Sequence, residues 1–499
     1  MEVFTITSFV ILIFVLLLWL AKKGKSKSVK KLPPGPWKLP IIGNLHQLVG
    51  SSLPQHAFRK LAEKHGPLMH LQLGEISALV VSSPNTAREI MKTHDVVFAH
   101  RAEFITTKIL LYGTASFALS PLGDYWRQMR KICTLELLSP KKVHSFSYIR
   151  QEEVANMAEK IRISAGETIN LSKMIDNLTS TVISRVLFGN LSEEREQFVS
   201  FVKESAELSD GFALEDLFPS FKPLHFISGM EGKLYKMHVK LDQILDKIIK
   251  ENQERNKEPK QEDKNENIVE VLLRLLHSGT LDTPITMNNV KAVILDMFFA
   301  GTDTSSVVVE WAMSELMRSP RAMKKAQAEI RHALRGKQTI QEADVAELPY
   351  LKAVIKETMR LHPPLPMLLP RKSSEDCTIN GYHIPKNTKV LVNLHALGRD
   401  PDYWYDAESF LPERFQENPM DFKGTNLEYI PFGAGRRMCP GINFGLVNVE
   451  SALSMLLYRF NWELPNGMKP EDLDMNETRG ASGARKNHLH LIPTPYIYT

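Results

Sequence analysis

Apolar residues recur at helical spacing over 85–93, 124–138, 150–163, 232–254, 267–277, 287–318, 320–335, 349–361 and 441–458, so helix dominates the chain. Strand-like alternation is confined to two patches. Leu68-Met69-His70-Leu71-Gln72-Leu73, a Gly74-Glu75 turn and Ala78-Leu79-Val80-Val81 predict a β-hairpin. Residues 377–397 predict a second strand-rich patch, with a turn at Asn380-Gly381 and a strand from Lys389 to Leu397. The pattern describes a mainly α protein with small β-sheets. With no internal repeat and no second linker, residues 45–499 read as one domain.

The N-terminus follows a different rule. From Phe4 to Ala21 there is no charged residue, and the run is long enough to cross a bilayer, so residues 1–21 are expected to form a transmembrane anchor. Lys22, Lys23, Lys25, Lys27, Lys30 and Lys31 follow it, whereas only Glu2 precedes it; this asymmetry places the body in the cytosol. Residues 22–44 then form a basic stop and a stiff proline-rich hinge, Pro33-Pro34-Gly35-Pro36-Trp37-Lys38-Leu39-Pro40. Behind such an anchor the glycosylation sequons at Asn170, Asn177, Asn190 and Asn476 are out of reach and read as chance matches. The apolar run Phe212 to Ile227 suits either a membrane-dipping access loop or core packing. Lys250 to Glu266, nearly all polar, reads as a solvated helix end and loop.

Composition agrees with a large core: 499 residues, 43% hydrophobic and 24% charged. A net charge of +5, with Lys and Arg scattered, argues against nucleic-acid binding. The chain has 3 cysteines, too few for a disulfide framework, so each thiol needs its own account. Cys133 and Cys377 read as ordinary free thiols. Cys439 stands in Phe432-Gly433-Ala434-Gly435-Arg436-Arg437-Met438-Cys439-Pro440-Gly441, just before a helical run. A cysteine that ligates haem iron must be deprotonated and protected, and backbone N–H groups at a helix start favour both. Gly435 would give the loop a positive φ and a close approach to the macrocycle, Arg437 would pair with a propionate, and Phe432 would shield the sulfur. Pro440 suits the first helical turn and Gly441 keeps the helix start clear of the ring.

This F-x-x-G-x-R-x-C-x-G segment resembles the haem-binding signature of the cytochrome P450 superfamily, and further motifs agree. Glu357-Thr358-Met359-Arg360 resembles the family's E-x-x-R, with Arg414 in Pro412-Glu413-Arg414-Phe415 as the second arginine of a buried network. Ala300-Gly301-Thr302-Asp303-Thr304-Ser305 is similar to the oxygen-activating motif. There Ala300 and Gly301 would leave room for dioxygen and substrate, Thr304 would bond the Ala300 carbonyl, and Asp303 and Thr304 would deliver protons as the catalytic pair. Trp126, Arg130, Arg101 and Arg371 match positions that hold haem propionates.

The resemblance covers the chain from anchor to Thr499 and looks closest to plant A-type members, clan 71, in subfamilies that oxidise terpenes. It implies a cytochrome P450 fold, haem b as cofactor, and NADPH acting indirectly through NADPH–cytochrome P450 reductase. It also implies a single-pass endoplasmic reticulum protein facing the cytosol that inserts one oxygen atom from O2 into a lipophilic small-molecule substrate. The implied substrate pocket comprises Leu110, Leu111, Phe117, Val293, Met297, Leu365, Met367 and Leu368. Ala481 and Ser482 join it from a Gly480 to Ala484 segment smaller than the branch usually carries. Arg127, Lys131 and Arg436 are candidates for reductase docking, and His395, in the expected strand, is assigned no role. A terpenoid, sesquiterpene or diterpene, is the expected substrate; an alkaloid or phenolic is the alternative. A haem-thiolate isomerase or dehydratase needing no reductase, and a haem sensor without turnover, are rivals that the Asp303-Thr304 pair opposes.

Overall fold

The computed structural model describes residues 31–48, 50, 53–189, 193–206, 213–223, 228–255, 266–337, 339–418 and 420–497. The expected anchor lies outside the described residues. Four helices form the centre: α1 (Leu171–Phe188), α2 (Met287–Arg318), α3 (Pro349–Leu361) and α4 (Ile442–Arg459). α2 packs along α1 and against α3 and α4.

α2 has the bounds that its pattern predicts. Thr286 starts it, its N–H donating to Asn289 Oδ1 at 2.7 Å, and Ser319-Pro320 ends it. Its length and composition would suit a membrane span, yet 67% of its most apolar window is buried against neighbouring helices. α3 also matches, opening with Pro349 at the first turn and stopping before Pro363-Pro364.

α1 escapes the periodicity reading because hydroxyl side chains occupy its buried face. Ser180 donates to the Asp176 carbonyl at 2.7 Å and Ser184 to the Ser180 carbonyl at 2.6 Å, so these polar residues satisfy themselves inside the helix. Asn170, one of the sequon residues, caps α1 by accepting from the Lys173 N–H at 2.9 Å. Helices Pro54–His65 and Glu193–Ala206 are likewise additions to the predicted set.

The strands are β1 (Leu68–Leu73), β2 (Ile76–Val81), β3 (His100–Arg101), β4 (Ile169–Asn170), β5 (Arg371–Lys372), β6 (Cys377–Ile379), β7 (Tyr382–Ile384), β8 (Lys389–Val392), β9 (Phe460–Glu463) and β10 (His490–Pro495). The main sheet runs β1-β2-β8-β5-β3, with β2 and β8 parallel from Ala78↔Lys389 to Val81↔Val392. Alternation divides its faces: Val80 and Leu391 pack with Phe58, while Val81 and Val392 pack with Ile90 and Phe98. β4-β10-β9 and β6-β7 form the smaller sheets.

Three local readings are corrected. The strand predicted from Lys389 to Leu397 ends at Val392, because Asn393 turns the chain and its side chain caps the helical turn Leu394–Leu397 through the Ala396 N–H at 3.2 Å. The helix expected over 124–138 is α-helical over Asp124–Ile132 and widens to a π turn over Cys133–Leu137. The helix expected over 85–93 does the same, Pro84–Arg88 passing into Glu89–Thr93.

The E-x-x-R network lies between α3 and the 398–414 segment. Glu357 is fully buried; Arg360 Nε and Nη2 donate to its two oxygens at 2.8 and 2.7 Å, and Arg414 Nε donates at 3.0 Å. Arg360 also donates to the Gly398, Ala407 and Ser409 carbonyls at 2.5, 2.7 and 3.0 Å, fastening the loop after β8. Glu357→Ala would leave two buried guanidiniums without a counter-charge. The expected cost is about 3–5 kcal/mol, measured as a lowered urea midpoint; an unchanged midpoint would contradict a structural role for the triad.

Candidate active site

A cavity of about 940 Å³ lies between α2 and the Cys439 loop. Cys439 lines it, with its N–H donating to the Phe432 carbonyl at 3.0 Å and its Sγ accepting from the Gly441 N–H at 3.3 Å. Burial pushes the thiol up from its ordinary value, while the Gly441 N–H and Arg130 pull it back. A Cβ on Gly441 would sit 3.9 Å from Sγ, an ordinary van der Waals contact, so packing against the sulfur does not itself demand a glycine. Phe432 lines the cavity and meets Phe422 edge-on.

Gly435 has the expected positive φ, +68°, but the close approach is different from the one expected. A Cβ there would fall 2.3 Å from the Met91 carbonyl oxygen and 2.5 Å from Asp95 Oδ1, and Gly435 is not among the cavity residues. The glycine is needed because the loop rests on the Glu89–Thr93 turn and on Asp95 just after it.

Opposite, α2 contributes Met297, Ala300, Gly301, Asp303 and Thr304 to the wall. The Thr304 hydroxyl donates to the Ala300 carbonyl at 2.6 Å, as the motif implies. Gly301 also serves packing: a Cβ would meet Ile183 of α1 at 3.1 Å. Leu110, Leu111, Phe117, Leu365, Met367, Leu368, Ala481 and Ser482 all line the same cavity. Val293 does not. Its side chain is fully buried in the main core, off the cavity wall.

Arginines gather at one side. Arg101 and Arg371 stand opposite each other in the β3–β5 ladder, a like-charge pairing that is unfavourable unless an anion answers it. Arg371 pairs with Asp95 at 3.2 Å and donates to the Ala434 carbonyl at 2.8 Å; Arg101 donates to the Ala118 and Leu369 carbonyls. Arg437 donates to the Ala99 carbonyl at 2.6 Å and its guanidinium lies 4.5 Å from the centre of the Trp126 ring. Burial, then neighbouring Arg371 and Arg130, push it down to about 9. Arg130 donates to the Met438 carbonyl. Trp126 Nε1 is buried with no partner among the described residues. A flat apolar ligand bearing two carboxylates fits this set of surplus cations and one orphaned donor, and Cys439 faces the same space.

The arrangement contains residues that the sequence reading passed over. Asp296, on α2, accepts from the Ser116 hydroxyl at 2.7 Å and the Ala118 N–H at 3.3 Å and touches the cavity. Its signal was a lone carboxylate within Val293-Ile294-Leu295-Asp296-Met297-Phe298. Asp95 joins Arg371 to Arg436, whose Nε lies 3.4 Å away. Cys133, read as an ordinary thiol, is buried in the cavity wall, where burial pushes it up to about 12. Of the docking candidates, Arg127 is paired with Asp124 at 2.6 Å and Arg436 with Asp95, whereas Lys131 is exposed. His395 is a buried residue of the helical turn after β8, its ring 4.3 Å from His56, and burial together with Arg399 holds it well below its ordinary value. Leu217, in the run expected as an access loop, lines the cavity; Phe212 and residues 224–227 lie outside the described residues.

Burial raises Asp296 to about 7, against the pull of its Ser116 and Ala118 donors. Between the ordinary aspartate value and about 7 the folded protein therefore holds a proton that the unfolded chain has released, so stability falls as pH rises through that window. Asp296→Asn, which mimics the protonated acid, is expected to flatten this dependence. The check is a comparison of thermal midpoints from pH 5 to pH 8; parallel curves would refute it.

Comparison with known proteins fits this geometry. The cytochrome P450 family model matches residues 33–491. Desmethyl-deoxy-podophyllotoxin synthase of Sinopodophyllum hexandrum is 53% identical over 97% of this chain and 96% of its own length. Premnaspirodiene oxygenase of Hyoscyamus muticus is 51% identical over 99% of each. A solved zebrafish cytochrome P450 with progesterone is 26% identical and superposes with a TM-score of 0.76 over 89% of this chain and 99% of that one. The chain belongs to the cytochrome P450 family and is a monooxygenase that uses haem b, with electrons passed from NADPH by a reductase.

Proposed function

We propose that the enzyme inserts one oxygen atom into a terpenoid, a sesquiterpene or a diterpene. The observation that carries this reading is a cavity bounded by Cys439 and by Ala300, Gly301, Asp303 and Thr304, with mostly apolar residues in its walls. A relative half identical along its whole length is named for oxygenating premnaspirodiene. Another is named for a podophyllotoxin-type product, which makes a phenolic the second substrate class to test.

Haem b, when bound, supplies the activation of dioxygen. Cys439 holds its iron as a thiolate whose charge the Gly441 N–H and Arg130 offset. Arg101, Arg130, Arg371, Arg437 and Trp126 Nε1 hold the propionates, and Phe432 keeps water from the sulfur. Ala300 and Gly301 leave space beside α2. Thr304, its proton directed to the Ala300 carbonyl, keeps its oxygen available to accept a hydrogen bond in the cavity, and Asp303 brings a titratable group to the same wall. The Glu357 triad holds α3 and the following loops in place behind them.

The protein is a single-pass endoplasmic reticulum protein in this reading, anchored by residues 1–21 with the catalytic domain in the cytosol. Apolar side chains exposed near one corner support it. Trp37 and Ile41 are each 65% exposed and Leu214 and Phe221 each 55%. Their segments meet at the β1–β2 turn, where the Gly74 N–H donates to the Ile42 carbonyl at 3.2 Å and the Glu75 N–H to the Leu217 carbonyl at 2.8 Å.

Microsomes containing the protein and the reductase, given NADPH and panels of terpenes and phenolics, are expected to yield oxygenated terpenes. Product formed equally without NADPH would overturn monooxygenation, and turnover confined to phenolics would overturn the substrate class. Cys439→Ser is expected to lose both the reduced-CO spectrum and the activity; full activity in that variant would exclude thiolate chemistry.

A further inference from the structure

We propose that Trp311 is a positioning residue that sets the shape of the substrate end of the cavity, by hanging two of its walls from α2. This rests on the reading of the cavity as the substrate pocket. Trp311 is fully buried and is not itself a cavity residue. Its indole N–H donates to the Gly483 carbonyl at 2.7 Å, and the Gly483 N–H donates to the Pro364 carbonyl at 3.0 Å. Gly480, Ala481 and Ser482 form one wall and Pro364 to Met367 the next, so a single junction ties both to the helix.

The junction is closely fitted. The indole stacks on His362 with ring centres 3.9 Å apart and planes 5° from parallel, and the Arg485 guanidinium lies 5.1 Å from its centre on the wall loop's own stem. His362 is fixed in turn by Glu315 on α2, at 2.7 Å. A Cβ on Gly483 would fall 2.9 Å from the Pro363 carbonyl oxygen and 3.0 Å from Pro366 Cγ, so only glycine lets the two walls meet this closely.

Position along the helix gives the junction its consequence. Trp311 follows Thr304 by two helical turns, which returns it to nearly the same face about 10 Å farther along the axis. The walls are thereby held at a fixed distance from Thr304, and the part of a bound molecule that reaches the reactive end depends on that distance. A phenylalanine could keep the stack but could not donate to Gly483.

The test uses the full-length protein in reductase-containing microsomes. Loss of one hydrogen bond corresponds to about a fivefold effect. Trp311→Phe is therefore expected to change the ratio of oxygenated products, and KM, by about that factor, with the reduced-CO spectrum intact and total turnover nearly unchanged. Gly483→Ala strains the same junction from the other side and is expected to shift the same ratio; it decides the matter if the tryptophan variant fails to fold. A purely structural role would lower the thermal midpoint and leave product ratio and KM at wild-type values, and that result overturns the proposal. If the wild-type protein gives no NADPH-dependent product, the monooxygenase reading fails separately. The shape claim is then read from spectral titration with azole ligands of graded size, whose order of affinity should change in Trp311→Phe; an unchanged order overturns it.

Discussion

Buried guanidinium groups must find acceptors, and this requirement organises the molecule around its central helices. At Glu357 the demand is met within the chain: one carboxylate answers Arg360 and Arg414, and the remaining donors draw in the carbonyls of Gly398, Ala407 and Ser409. On the cavity side Arg101, Arg371 and Arg437 use backbone carbonyls, and Asp95 is the carboxylate that pairs with Arg371 and acts on Arg437. The first cluster closes on itself and stiffens the loops after α3. The second retains a surplus of positive charge that suits a dianionic cofactor, and Trp126 adds a donor to it.

Between these clusters α2 acts as a scaffold for surfaces that are themselves loops. Asp296 holds the 116–118 segment, Ala300, Gly301, Asp303 and Thr304 face the cavity, and Trp311 holds the segments at 364 and 483. Loops position chemistry well only when something rigid fixes them. Here the fixing groups project from a single helix whose burial against α1, α3 and α4 prevents it from shifting.

Much of this was legible in the sequence where the signal is local. α2 and α3 carry their own starts and stops, and the Cys439 segment, the Glu357 and Arg360 pair and the Asp303-Thr304 pair each lie within a few residues. α1 was hidden because Ser180 and Ser184 bond back within the helix, which places polar residues on an apolar face. Val293 was placed in the pocket by resemblance to a family position, and in this chain that position is buried in the main core, off the cavity wall. Gly435 showed its conformation but not its neighbour, since Met91 and Asp95 come from distant sequence. The Trp311–Gly483 bond spans 172 residues and leaves no local trace at either end.

The fastening of Gly483 has a bearing on how such an enzyme diversifies. Its hydrogen bonds on the loop side use main-chain atoms, the Gly483 carbonyl and N–H and the Pro364 carbonyl, and the one side chain that packs on the indole from that loop is Arg485, beyond Ser482. Ala481 and Ser482 therefore take no part in holding their own segment, and side chains there are free to be exchanged without loosening it. A lineage can sample new specificities at those two positions by single substitutions, each one arriving on a wall already built.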